Sequence, residues 1–308
     1  MLDNLSNSQI GDFVLQEMVG RRVAMALYRA AQQSLKRFAV VKIIDVKSVP
    51  LPKEALEDDF ITFTRNIVAL EHMHLQPIYD YGIVDDQYIF IAARFMAGNL
   101  YELLQTGPLP IEQTLELSLQ IALALMFIHS NGLVHSSLSP RNVYIDEMSN
   151  AYIDDLELSR VVQAARTQKE LQSLLDEPFY TSVEQLELQP LNGHTEMYSF
   201  GAIVYHMLTG VAPFSDGDQR FEAVLSRKQR NQVVPLRHIN PSISPALEKA
   251  VLRTLRANPD ERFPDFQTLE SALRQELNLI KPGDRTMMDK VRGVLSRIRP
   301  KTRFLELY

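Results

Sequence analysis

The chain reads as an α+β protein in two lobes, a strand-rich first third followed by a helix-rich remainder. Three observations carry this. Short β-branched and aromatic runs crowd residues 13–95. From about residue 98 the apolar period changes from two to between three and four. The 308 residues are 45% hydrophobic and 23% charged, an ordinary globular balance with enough length for a substantial core.

The elements follow in order. FVLQEMVG (13–20), MALYRAA (25–31), FAVVKII (38–44) and QYIFIAARF (87–95) predict strands. Between the third and fourth, residues 54–72 place Leu56, Phe60, Phe63, Ile67 and Leu70 on one helical face. Residues 111–130 predict a long helix, apolar on most sides and so buried, ending at Asn131-Gly132. Residues 195–209 predict a second buried helix that stops at Gly210. Two further helices are expected at 243–257 and 264–279, divided by the turn Asn258-Pro259-Asp260. A strand lobe over 12–96 and a helical lobe over 97–280 result.

Composition excludes several classes of function. There is no cysteine, so disulfides, thiolate metal sites and cysteine nucleophiles are ruled out. A formal charge of −6 argues against a nucleic-acid footprint, and no nucleic-acid partner is expected. No apolar run is expected to span a membrane; the most apolar stretch, Ile121 to Ile128, sits inside the long helix. The N-terminal MLDNLSNSQIGDF has no basic region followed by an apolar one, so a cytoplasmic location is the default expectation.

Residues 281–308 differ in character, with eight lysines and arginines against three acids. Met287, Met288, Val291, Val294, Leu295 and Ile298 fall at helical spacing. Such a basic amphipathic helix lies on an anionic membrane or docks in a partner groove. The alternative is a helix folded back on the helical lobe, or a linker.

A series of short motifs resembles the protein kinase family, bacterial serine/threonine kinases in particular. Ala39-Val40-Val41-Lys42 resembles V-A-I-K, and His135-Ser136-Ser137-Leu138-Ser139-Pro140-Arg141-Asn142 resembles H-R-D-L-K-P-x-N. Ile153-Asp154-Asp155-Leu156-Glu157 resembles the segment holding D-F-G. Residues 177–185, EPFYTSVEQ, resemble the end of an activation segment. Tyr198-Ser199-Phe200-Gly201, Leu208-Thr209-Gly210, Pro213-Phe214 and Asn258-Pro259-Asp260-Glu261-Arg262 follow in the family's order. The resemblance covers about residues 12–279 and implies the two-lobed kinase fold.

The resemblance also implies a nucleotide site. Gly20, Ala39, Lys42, Asn142, Tyr144 and Asp155 stand at its positions, with Asn142 and Asp155 as the Mg²⁺ ligands, so ATP and Mg²⁺ are the cofactors it implies. His135, Glu184, Glu196 and Arg262 stand at structural positions. Glu196 exchanges one carboxylate for another and keeps the brace on the catalytic loop.

The chemistry-bearing positions depart from the pattern. Ser137 stands where the catalytic aspartate belongs, and Ser139 where the loop lysine belongs. A hydroxyl cannot take a proton as a carboxylate does. Ser136 replaces the arginine that meets a phosphorylated segment, and Arg141 is offset by two residues from the missing lysine. Of the glycine-rich loop only Gly20 persists, with Arg22 and Met25 at the other glycines; the loop either covers phosphates poorly or fills the site, or is a hairpin with its arginines in solvent. Phe63 matches the helix glutamate that orients Lys42, which leaves Lys42 as a loose phosphate ligand or a partner of Asp155. Glu157 is either an extra carboxylate near the metal or solvent-facing, and Tyr144 either stacks on adenine or occludes its space.

Scaffold kept and catalysis lost implies a pseudokinase: a signalling scaffold or allosteric module whose partner is another protein, a kinase or other signalling protein. The other readings are a weakly active serine/threonine kinase and an ATP sensor, both using Lys42, Asn142 and Asp155.

Overall fold

The computed structural model describes residues 4–21, 25–48, 62, 64–85, 87–156 and 178–281. One antiparallel sheet forms the first lobe, from β1 (Gln9–Ile10), β2 (Phe13–Arg21), β3 (Met25–Gln32), β4 (Arg37–Asp45), β5 (Ile78–Val84) and β6 (Tyr88–Arg94). Its spatial order is β1-β2-β3-β4-β6-β5. All pairings are antiparallel, and β4 runs central and almost wholly buried, as its unbroken FAVVKII run requires. The period-two geometry splits its side chains: Val40 and Ile44 pack with Met25, Leu27 and Ile91, while Ala39, Val41 and Ile43 pack with Phe13, Leu15 and Tyr28.

β5 was not anticipated. It is an edge strand, only partly buried, so IYDYGIV lacks the alternation that marks a one-sided strand. Of the helix expected at 54–72, the described residues show helix at 62 and 64–68, with Ile67 buried; Leu56, Phe60 and Phe63 lie outside the described residues.

The second lobe holds α1 (Leu100–Leu104), α2 (Ile111–Ser130), α3 (Val183–Leu186), α4 (Gly193–Thr209), α5 (Phe221–Gln229), α6 (Leu236–Ile239), α7 (Pro245–Thr254) and α8 (Phe266–Ile280). A small ribbon, β7 (Val143–Ile145) with β8 (Ala151–Ile153), faces the cleft. α2 and α4 form the core; almost every side chain of α4 is buried. Contrary to the reading of the sequence, α2 is long and apolar enough to cross a membrane, with a mean hydropathy of 1.4. Here it is a core helix, packed against α8, α4 and β8. α4 starts at an Asn192 capping box and stops at Gly210, which takes φ 76° and returns its N–H to His206 O.

One glycine sets an interhelical approach. A Cβ on Gly201 would fall 1.7 Å from Thr254 Oγ1, so α4 and α7 touch only because residue 201 has no side chain. Lys281, the first residue of the basic tail, reaches back to α2, 2.6 Å from Glu112 and 2.7 Å from Glu116. The rest of the tail, 282–308, lies outside the described residues.

Candidate functional site

The cleft between the lobes is built from β4, the loop 135–142 and the residues after β8. Because β4 alternates, Lys42 and Val40 share the cleft face and Ala39 does not. The assignment of Ala39 to the nucleotide site is therefore corrected: Ala39 is buried on the opposite face of the sheet, and Val40 lines the cleft.

Lys42 is fully buried, and its ammonium meets two carboxylates. Asp154 Oδ1 accepts a hydrogen bond from Nζ, and Asp155 Oδ1 lies 2.7 Å from the same nitrogen. Asp155 holds a left-handed backbone, φ 64°, a conformation that costs an L-residue about 1–2 kcal/mol. Such geometry persists only where surrounding contacts over-determine it.

The loop is locked from both sides. His135 Nε2 is 2.6 Å from Asp154 O. A carbonyl only accepts, so Nε2 carries the proton and Nδ1 is left as acceptor for the Ser137 N–H at 3.3 Å. Ser137 Oγ lies 3.4 Å from the same Nδ1. Asn142 donates through Nδ2 to Ser137 O at 2.7 Å, and its backbone carbonyl accepts from Asp154 N at 2.9 Å. Ser139 precedes the 3₁₀ turn Pro140–Asn142 and accepts the Asn142 N–H through its carbonyl, while its side chain caps nothing. Arg141 stacks over Tyr101, 3.7 Å from the ring centroid.

Glu196, on α4, braces this loop from beneath. Its Oε1 accepts the N–H groups of His135 and Ser136, and Oε2 pairs with His129 Nε2. Ser136 takes φ 66°, and its carbonyl accepts from Gln185 Nε2. Glu184 lies one residue earlier and is bound by Arg262 through two bonds, of 2.6 and 2.9 Å. Burial alone would raise the Glu184 carboxyl; the hydrogen bonds and charge of Arg262 outweigh it and hold the pKa below the ordinary glutamate value.

Outward of Lys42, a pocket of about 220 Å³ is lined by Gly20, Leu27, Val40, Phe95, Arg141 and Tyr144. Tyr144 is buried on β7. Gly20 has an ordinary negative φ and room for a Cβ 3.7 Å from Leu27, so neither local geometry nor packing requires glycine there. Met25 is buried in the sheet core, whereas Arg22, Phe63 and Glu157 lie outside the described residues.

The structure thus brings together Lys42, Asn142, Asp155, His135 and Ser137, and separates Ala39 from them. Asp154, Gln185 and Val40 escaped the reading of the sequence. The doubled acid Asp154-Asp155 was the visible signal for the first; nothing local marked Gln185.

A strand lobe and a helical lobe joined at a lysine-carboxylate cleft, with a polar loop braced by the core helix, is the arrangement of a protein kinase domain. The family model for the protein kinase domain matches residues 13–275, and the chain belongs to that family. Probable serine/threonine-protein kinase CA_C1728 of Clostridium acetobutylicum is 27% identical over 273 residues, which are 86% of this chain and 40% of that protein. Serine/threonine-protein kinase PrkC of Bacillus subtilis is 25% identical over 269 residues, 86% of this chain and 40% of its own length. The chain thus spans about two fifths of these curated relatives. The kinase domain of Mycobacterium tuberculosis PknI superposes with a TM-score of 0.66 at 19% identity, covering 89% of this chain and 99% of that one, and shows the shared fold.

Members of the family use ATP with Mg²⁺. The donor set here fits a hard cation in chemistry: Asn142, with Nδ2 turned to Ser137, presents its amide oxygen the other way, and Asp155 adds carboxylate oxygen.

Proposed function

We propose that this domain is a pseudokinase: a kinase-like module that transfers phosphate poorly or not at all and works by binding another protein, a kinase or other signalling component. The observation that carries the reading is Ser137. The base position holds a hydroxyl tied to the His135 ring, in a loop that also lacks its lysine at Ser139. Loss of a positioned base costs about 10²–10⁴ in rate.

A second reading, a slow serine/threonine kinase or an ATP sensor, is supported by the convergence of Lys42, Asn142 and Asp155. Bound Mg-ATP would supply the transferable phosphoryl group; the chain's own part would be to hold phosphates with Lys42 and the cation with Asn142 and Asp155. The relatives named as serine/threonine kinases favour this reading at the level of the family.

The experiment is transfer of labelled γ-phosphate from Mg-ATP to the protein itself and to a serine/threonine peptide library, with Asp155→Ala as control. No label above that control is expected. Label that depends on Asp155 would overturn the pseudokinase reading in favour of the slow enzyme. Unfolding with and without millimolar Mg-ATP separates sensor from scaffold: binding at 100 times the dissociation constant adds about 2.7 kcal/mol.

A further inference from the structure

The geometry points to Asp154 as the residue that positions Lys42, a role that places the lysine's anchor in the helical lobe. The sequence match puts Asp155, and not its neighbour, in the metal-ligand position. Yet Asp154 makes the hydrogen-bonded contact with Lys42 Nζ, across 112 residues of chain, and both side chains are buried. The Asp154 backbone is held at two points, and that of Ile153 at two more. The Asp154 N–H donates to Asn142 O at 2.9 Å, its carbonyl accepts from His135 Nε2 at 2.6 Å, and Ile153 ahead of it pairs with His74 and Gln76 through backbone bonds. A backbone fixed in this way aims the carboxylate at the ammonium, so less freedom is lost on pairing.

Lys42 sits on β4 of the strand lobe, and Asp154 follows β8 of the helical lobe. The pair therefore ties the lobes directly. Lys42 is held by the same segment that carries Asp155, so a shift of residues 153–156 would release Lys42 and Asp155 together. This arrangement is independent of whether phosphate is transferred, and it is tested without nucleotide.

The test is a double-mutant cycle in thermal unfolding, with Asp154→Asn placed in the parent and in Lys42→Met. Removing a carboxylate from a buried ammonium lowers Tm by several degrees in the parent. In Lys42→Met the same change is expected to leave Tm unchanged or to raise it, since it then separates two like charges. An equal fall in both backgrounds overturns the proposal. If Lys42→Met does not fold, Asp154→Asn is compared with Asp155→Asn in the parent: a larger fall in Tm for Asp154→Asn is expected, and an equal or smaller one overturns the proposal.

Discussion

Arg262 spends all five of its N–H groups inside the helical lobe, two of them on Glu184. Nη1 and Nη2 take the two carboxylate oxygens, and His194 O, Ala257 O and Arg256 O take the rest. The guanidinium is among the largest fully buried side chains, so every donor it has must be matched within the protein. This pair anchors the end of the segment that follows the cleft to the turn between α7 and α8.

Breaking it should be expensive. Glu184→Ala is expected to lose about 3–5 kcal/mol by chemical denaturation, because a buried guanidinium is left without its counter-charge. Arg262→Lys should cost nearly as much, since an ammonium cannot span two oxygens and three carbonyls in one plane. A loss below 1 kcal/mol for both would mean that the pair is dispensable.

Lys228 is a second buried cation among the described residues of this lobe. Its ammonium, on α5, donates to Pro178 O, Phe179 O and Thr181 O and lies 4.8 Å from the Tyr198 ring centroid. Burial pushes its pKa well below that of a free lysine. Lys228→Met orphans three carbonyls at roughly 1–3 kcal/mol each before relaxation. We expect a lower Tm and faster proteolysis within 178–182, read by limited digestion and mass spectrometry.

Gly201→Ala should destabilise although alanine is the better helix former. The added methyl would fall 2.6 Å from Thr254 Cβ, and overpacking typically costs about 1–3 kcal/mol. Thr254→Gly in the same chain, which removes both the Oγ1 at 1.7 Å and the Cβ at 2.6 Å, should recover part of the loss in Tm. No recovery would locate the strain elsewhere.

Acid should weaken the fold before its carboxylates titrate. Burial depresses His206, whose Nδ1 lies 2.6 Å from the Tyr180 hydroxyl, to about 4, and burial and then the His74 charge depress His72 to about 4. Both are neutral in the folded protein while the unfolded chain, at 6.5, binds their protons. Stability is therefore level above pH 6.5 and falls as pH drops from 6.5 towards 4, by up to about 3 kcal/mol per histidine. His72→Gln should flatten its share of the slope in a pH series of denaturant midpoints.

Returning a carboxylate to the loop tests how much of the machinery survives. Ser137→Asp is expected to raise any transfer from Mg-ATP by about 10²-fold or more over the parent, if Lys42, Asn142 and Asp155 hold the nucleotide. No gain, together with no nucleotide-dependent rise in Tm, would place the defect in the cleft itself.

Much of this was legible without coordinates. The strand runs of β2, β3, β4 and β6, the buried helices α2 and α4 with their Asn-Gly and Gly stops, and the two C-terminal helices follow from period and punctuation. Those signals are local, set by which side chains meet one face of one element. Where burial is slight they fade: α5 buries only Val224 and Lys228, and offered no apolar stripe to find. Motif order likewise identified His135, Ser137, Asn142, Asp155, Glu184 and Arg262 as a set.

Tertiary structure decided what those residues touch. Sequence placed Ala39 in the cleft, but strand alternation turns it to the other face and brings Val40 in. Asp155 was a candidate partner for Lys42; the fold adds Asp154, because His135 and Asn142 hold its backbone where its carboxylate reaches the ammonium. The anchoring of Ser136 by Gln185, and of residues 178–181 by Lys228, joins positions 47 to 50 residues apart. Sequence by itself determined which side chains this protein has and which faces they favour. Only the packed chain could decide the buried pairings, because an ammonium or carbonyl removed from water must find its partner wherever the fold brings one within about 3 Å.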